Sequence, residues 1–182
     1  MGCIVSNNQV TPKRESGIHP THIDVVQSTW PAIACQKERF GVFVYNSFLS
    51  REREMRRLFP RMVLEDGEEK FRMDEREVRR HALLVMDGLG LAIDCLQDPD
   101  KLHRFLRLVG VRHYRAGVTP DMLEKLYPAI DGALRMLLES RYNKRTRRAW
   151  RSFFSYITGV MKVAIMEADA EIQGEKLKCP CR

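Results

Sequence analysis

Apolar side chains recur every three or four positions along most of the chain, which is the spacing of one buried face of an α-helix. Proline, glycine and charged residues separate the segments that show this spacing. The charged segment 61–72 is predicted to be a loop, and no run shows the alternation of a strand between hairpin turns. We therefore predict an all-α domain with helices that begin near Thr21 and continue at about 38–50, 54–60, 73–96, 101–115, 120–141 and 145–170.

Two of these helices carry a histidine in their apolar stripe. His81 lies between Val78 and Val85 in the helix at 73–96, and His113 follows Val109 by four residues in the next helix. A single histidine on such a face is more often a core residue bonded to backbone. Two buried imidazoles without carboxylate partners are costly unless something binds their nitrogens. The pair, rather than either residue, therefore indicates a ligand.

The two stripes lack the further side chains that a bare metal ion would need, and this bears on which ligand the histidines bind. Zinc would need two further ligands, but neither stripe carries an acidic residue and the chain has no HExxH pattern. Haem supplies four equatorial nitrogens itself and needs from the protein only axial ligands and a dry slot. Two histidines walled by aliphatic residues thus favour haem.

Composition sets the class of protein and excludes others. The chain has 182 residues, 44% of them hydrophobic, which suits one domain with a real core. Its formal charge of +7 favours anionic neighbours. Five cysteines without the spacing of a disulfide framework are typical of a reducing compartment. No segment is predicted to span a membrane.

The histidine pair and its surroundings resemble the globin family. "RRLFP" places Phe59 where globins wedge an aromatic side chain against the haem; His81 follows 22 residues later and His113 a further 32 residues later, within "GVRHYRAGV". Trp30 and "RRAWRSFFSYI" are also similar to globin segments. The resemblance covers about residues 20–168. It implies a globin fold, a three-over-three sandwich of about eight helices enclosing haem b.

Within that family the spacing is most similar to neuroglobin, and this similarity implies a role for each site residue. His113 is the proximal ligand of the iron, and its Nδ1–H donates to the carbonyl of Val109. His81 is the distal histidine, which in neuroglobin-like proteins binds the iron when no gas is present. Tyr45 either donates its hydroxyl to bound oxygen or is a packing aromatic. Val85 lies beside the bound gas.

One position departs from the family pattern. Leu84 stands where many relatives carry a basic residue that reaches a haem propionate, so Arg80 and Arg112 are the alternative propionate partners. Phe59 and Val118 complete the expected haem lining.

The N-terminal sequence "MGCIVS" fits the myristoylation pattern M-G-x-x-x-[ST], with Gly2 as the acceptor and Cys3 as a neighbouring palmitoylation site. It resembles globin X, the membrane-attached relative. We expect a flexible acylated arm at 1–20, a globin domain at 21–170 and a tail at 171–182. Two acyl chains would hold the protein on the cytoplasmic face of the plasma membrane. The alternative is an unmodified arm.

The leading interpretation is a membrane-attached haem globin, bis-histidyl and six-coordinate, that binds O2, NO and CO in redox protection, gas sensing or signalling. The resemblance leaves enzymatic turnover open, with nitrite reduction or NO dioxygenation as side activities and a reductase as partner. Oxygen storage or supply near membranes is the second interpretation, and a lipid-anchored adaptor without haem is the third. The basic segment 141–148 is expected to cap a helix and face solvent, and no nucleic-acid partner is expected.

Overall fold

The computed structural model describes residues 17–66 and 71–178, and helices dominate both ranges. Short 3-10 helices occupy Arg53–Leu58, Pro120–Leu126 and Glu139–Arg141. Within the described ranges, no helix is long and apolar enough to cross a membrane. The α-helices are α1 (Pro20–Ala34), α2 (Lys37–Arg51), α3 (Glu75–Asp94), α4 (Pro99–Arg115), α5 (Tyr127–Leu138) and α6 (Lys144–Lys178). The prediction of a helical domain is confirmed.

A small antiparallel hairpin lies in the segment predicted to be a loop. Strand β1 (Val63–Asp66) pairs with β2 (Phe71–Met73), and the register is irregular between Val63 and Glu65. The prediction that 61–72 lacks strands is therefore wrong. The strands have four and three residues, too few to show an alternating pattern amid so many charges.

The helix predicted at 120–141 is divided into three elements. Pro128 lies in the first turn of α5, where a backbone N–H has no partner within the helix and its absence therefore costs no hydrogen bond. The seven residues before α5, Pro120–Leu126, form a 3-10 helix instead. At the other end Glu139 has a φ of 46°, which ends α5 after Leu138.

Ordered structure extends beyond both ends of the predicted domain at 21–170. Ile18 is buried, and α1 begins at Pro20, where the His19 imidazole accepts the backbone N–H of Thr21. At the other end α6 continues to Lys178. The helix therefore extends eight residues beyond the predicted domain, and its residues 171–173 are exposed.

The helices form two layers. α1, α3 and α4 make one layer and α2, α5 and α6 the other, with α2 against α3 and α4 against α6 as the main contacts between them. Trp150 in α6 is fully buried and donates its indole N–H to the Thr29 hydroxyl of α1 at 3.0 Å. This arrangement leaves the inner faces of α3 and α4 to form the site.

Candidate functional site

Three aromatic rings from three different elements meet on one side of the site. Tyr45 comes from α2, Phe59 follows the 3-10 helix Arg53–Leu58, and His81 comes from the second turn of α3. The ring centroids lie 4.9 Å apart for Tyr45 and His81 and 5.5 Å apart for Phe59 and His81, both nearly perpendicular. Such edge-to-face contacts hold the imidazole in one orientation.

Tyr45 and His81 are also joined directly. The hydroxyl of Tyr45 lies 3.1 Å from Nε2 of His81. Burial raises the pKa of the Tyr45 phenol, so the group stays protonated and can donate. Burial lowers the pKa of His81, with smaller contributions from the charges of Arg80 and His113, so its imidazole stays neutral and keeps a nitrogen lone pair.

A close approach of α2 and α3 explains why these two side chains meet. A Cβ on Gly41 would lie only 2.8 Å from the Cβ of Ala82, so only glycine allows this crossing. Tyr45 is one turn after Gly41, and His81 is adjacent to Ala82. The pair of small residues therefore sets the Tyr45–His81 distance.

Phe59 is positioned by a buried arginine that sequence reasoning did not identify. The Nε–H of Arg56 donates to the carbonyl of Leu49 at 2.8 Å, at the end of α2. Its guanidinium lies 3.7 Å from the centroid of the Phe71 ring on β2. Arg56 thus connects α2, the corner that carries Phe59, and the hairpin. No pattern in the sequence distinguishes it from its exposed arginine neighbours.

The opposite side of the site is formed by α4. His113 directs Nδ1 at the carbonyl of Val109, one turn earlier, at 2.8 Å. The carbonyl can only accept, so the proton is on Nδ1 and Nε2 carries the lone pair. No hydrogen-bond partner for Nε2 exists within 17–66 and 71–178. The predicted bond to Val109 is confirmed.

Helix α4 ends at Arg115, two residues after His113. Gly117 has a φ of 84°, in the left-handed region that favours glycine, and the backbone N–H of Val118 donates to the carbonyl of His113 at 3.0 Å. Earlier in the helix, a Cβ on Gly110 would lie 2.8 Å from the carbonyl oxygen of Met161, so α4 lies directly on α6. These two glycines fix the position of His113.

The structure places the remaining predicted site residues as follows. Val85, Val109 and Val118 are half-buried and pack against the core. Leu84 is 63% exposed and contributes nothing to the interior. Arg80 is an exposed partner of Glu77 at 2.7 Å, whereas Arg112 is exposed without a side-chain partner in the described structure. Gly2 and Cys3 lie outside the described residues.

The donor set fits haem and does not fit a bare metal ion. The candidate ligands are two imidazoles, His81 on α3 and His113 on α4, and the Nδ1 of His113 is bonded to the Val109 carbonyl at 2.8 Å, which leaves its Nε2 for a ligand. Over the described part of the chain, no group of three His, Cys, Asp or Glu residues could hold a metal. Axial ligation of a porphyrin iron requires only these two nitrogens.

Comparisons with known proteins agree with this geometry. The Globin family model matches residues 42–161. Cytoglobin-2 of Oryzias latipes is 28% identical over 103 residues, which is 56% of this chain and 56% of that relative. Neuroglobin of Tetraodon nigroviridis is 22% identical over 76% of this chain and 86% of its own length.

A solved structure shares the fold. The crystal structure of a hexacoordinated heme protein from an anhydrobiotic tardigrade has a TM-score of 0.70 and 17% identity, covering 82% of this chain and 96% of that one. The range that the family model matches contains Tyr45, Phe59, His81 and His113. The chain therefore belongs to the globin family.

Proposed function

We propose that this globin holds haem b between His113 and His81 and binds O2, NO and CO reversibly, in redox protection, gas sensing or signalling. The observation that carries the proposal is a pair of imidazoles, one on α3 and one on α4, with Nδ1 of His113 bonded to the Val109 carbonyl at 2.8 Å and Nε2 of His81 at 3.1 Å from the Tyr45 hydroxyl. Bound haem supplies reversible binding of diatomic gases and a one-electron change of its iron.

His113 is the permanent ligand in this proposal. Its bond to the Val109 carbonyl fixes the ring orientation. The helix end at Gly117 and the contact of Gly110 with α6 hold the residue from both sides.

His81 is the exchangeable ligand. Its Nε2 has one lone pair, which either accepts the Tyr45 O–H, as in this structure, or binds the iron. A gas molecule would compete with His81 when Nε2 binds the iron, and would not compete with it when Nε2 accepts the Tyr45 O–H. The names of the similar proteins, neuroglobin and a hexacoordinated heme protein, support the six-coordinate form.

A second function is favoured by the Tyr45 contact itself. With His81 bonded to Tyr45 at 3.1 Å, the distal position is open, which suits an oxygen store or supply near membranes. Both functions need haem, and they differ in how often His81 occupies the iron.

Rapid mixing of the gas-free ferrous protein with CO distinguishes them. The six-coordinate proposal predicts that the observed rate levels off at high CO, because His81 must first dissociate. A rate that rises linearly with CO throughout would contradict it and favour oxygen storage.

We also propose that the protein is attached to the cytoplasmic face of the plasma membrane by myristoylation of Gly2 and palmitoylation of Cys3. The sequence pattern and the adjacency of the two acceptors support this. One myristoyl chain binds membranes only marginally, with K of about 10⁴ M⁻¹, and the second makes attachment stable.

Mass spectrometry of the N-terminal peptide from eukaryotic cells tests the attachment. We expect both acyl groups on the natural sequence and neither on Gly2→Ala, since Gly2 is the only acceptor of the first acyl chain in this pattern. Cys3→Ser should retain the myristoyl group and lose the palmitoyl group. An unmodified Gly2 in the natural sequence would contradict the proposal.

A further inference from the structure

The first turns of α6 carry a dense block of positive charge. From residue 140 to residue 166 the sequence contains seven Lys and Arg residues and no Asp or Glu. Six of the seven are exposed within a stretch of eleven residues: Arg141, Lys144, Arg145, Arg147, Arg148 and Arg151.

Most of these cations lack a side-chain partner among the residues that the structure describes. Arg147 lies 3.5 Å from Asp131, which Arg135 and the Tyr142 hydroxyl also contact. Arg151 lies 6.0 Å from the centroid of the Tyr127 ring. The other four have no side-chain hydrogen bond or ion pair to any described residue, and Glu139 is the remaining carboxylate nearby in the sequence.

The cations do not stabilise the helix on which they lie. The helix is capped by Asn143, whose side-chain oxygen accepts the backbone N–H groups of Arg145 at 2.9 Å and Thr146 at 3.0 Å. Positive side chains near a helix N-terminus repel the positive end of the helix dipole. The expectation that the segment 141–148 caps a helix end and faces solvent is confirmed, with Asn143 as the cap, and the charge of the exposed cations is available to an outside anion.

The N-terminal segment enters the fold on the same side. A Cβ on Gly17 would lie 3.8 Å from the Tyr156 ring of α6. Tyr156 follows Arg145 by eleven residues, which is about three turns and about 16 Å along the same side of the helix. The segment that carries the acylation pattern therefore joins the described structure about three turns of α6 away from Arg145.

We propose that Arg141, Lys144, Arg145, Arg148 and Arg151, the basic face, bind the anionic headgroups of the inner leaflet. The inference deepens the membrane attachment proposed above and rests on it for the location of the protein. It does not require the acyl groups for binding. Each basic residue near an anionic leaflet raises the partition constant about fivefold.

Co-sedimentation with lipid vesicles tests the basic face on the full-length, haem-loaded protein without acylation. We expect binding to phosphatidylcholine vesicles that contain phosphatidylserine, none to phosphatidylcholine alone, and loss of binding at high salt. Arg145→Glu with Arg148→Glu should lower the partition constant by about 25-fold or more. Acidic residues near a helix N-terminus are favourable, so this variant should fold.

Lys101→Glu with Arg104→Glu is the matched control. It makes the same change in charge near the N-terminus of α4, also at exposed residues. Binding near the natural level is expected for it. Equal loss in both variants, no requirement for phosphatidylserine, or tighter binding to a nucleic acid at the same ionic strength would overturn the proposal. Haem absorbance and N-terminal mass spectrometry report separately on the proposed function.

Discussion

Replacing His113 by alanine is expected to raise the rate of haem loss by more than about 100-fold, because loss of a ligand costs more than the 10–100-fold typical of its supporting partners. The Nδ1 of His113 is bonded to the backbone carbonyl of Val109, and its Nε2 has no partner in the described residues. Transfer of haem to an excess of a haem-scavenging apoprotein measures the rate. His81 would still offer one nitrogen, so some haem should remain bound at first.

Two variants separate ligation from folding. His103→Ala removes another histidine of α4, ten residues earlier, and should leave haem loss unchanged. His113→Gly should recover haem retention when imidazole is added, because free imidazole can occupy the vacated space. Natural haem retention in His113→Ala would show that the proximal assignment is wrong.

The second large effect is expected at the distal residue. His81→Ala should leave haem bound, make the gas-free ferrous iron five-coordinate, and remove the plateau in the CO rate. If His81 leaves about a tenth of the molecules open, the apparent affinity for CO should rise about tenfold. Flash photolysis and rapid mixing measure both quantities. CO kinetics identical to those of the natural protein would mean that His81 is not an internal ligand.

Replacement of Tyr45 should change the rate of CO binding in the opposite direction. Tyr45→Phe keeps the packing of the ring against His81 and Phe59 but removes the O–H that bonds to Nε2. Without that competitor His81 should occupy the iron more often, so CO binding should become slower.

His81→Leu is a control for the His81→Ala variant, because leucine fills more of the vacated volume than alanine and so limits repacking. It should behave as His81→Ala.

The sequence alone predicts that His81 and His113 face the interior, because each lies in a regular apolar stripe, and both are half-buried in the structure. Val78 and Ala92 are buried on α3, and Leu102 and Leu106 on α4, in the faces that the spacing predicts. The bond from Nδ1 of His113 to the Val109 carbonyl was implied by the resemblance to globins, and the structure contains it.

The apolar periodicity of the sequence could not predict contacts between residues that are far apart in the chain. Tyr45 and His81 are 36 residues apart, and their hydrogen bond depends on the crossing of α2 and α3 at Gly41 and Ala82. Periodicity identifies a buried face but not where another helix crosses it. Gly41 within an apolar helical run was the one signal of close approach.

The hairpin and the basic face were missed for different reasons. Asp66-Gly67 is a frequent hairpin dipeptide, but charged residues surround it and the strands are short. The cations of 141–148 were identified, but only the structure shows that Asn143 supplies the cap and that four cations on this face have no partner among the described residues.

The absorption spectrum of the purified protein, ferric and then reduced with dithionite in the absence of gas, tests the central claim most directly. With His113 and His81 both on the iron, the ferrous protein should show sharp, split visible bands. A single broad ferrous band would contradict six-coordination and indicate an open iron. Failure to acquire haem absorbance after reconstitution would contradict the haem site itself and leave a lipid-anchored adaptor.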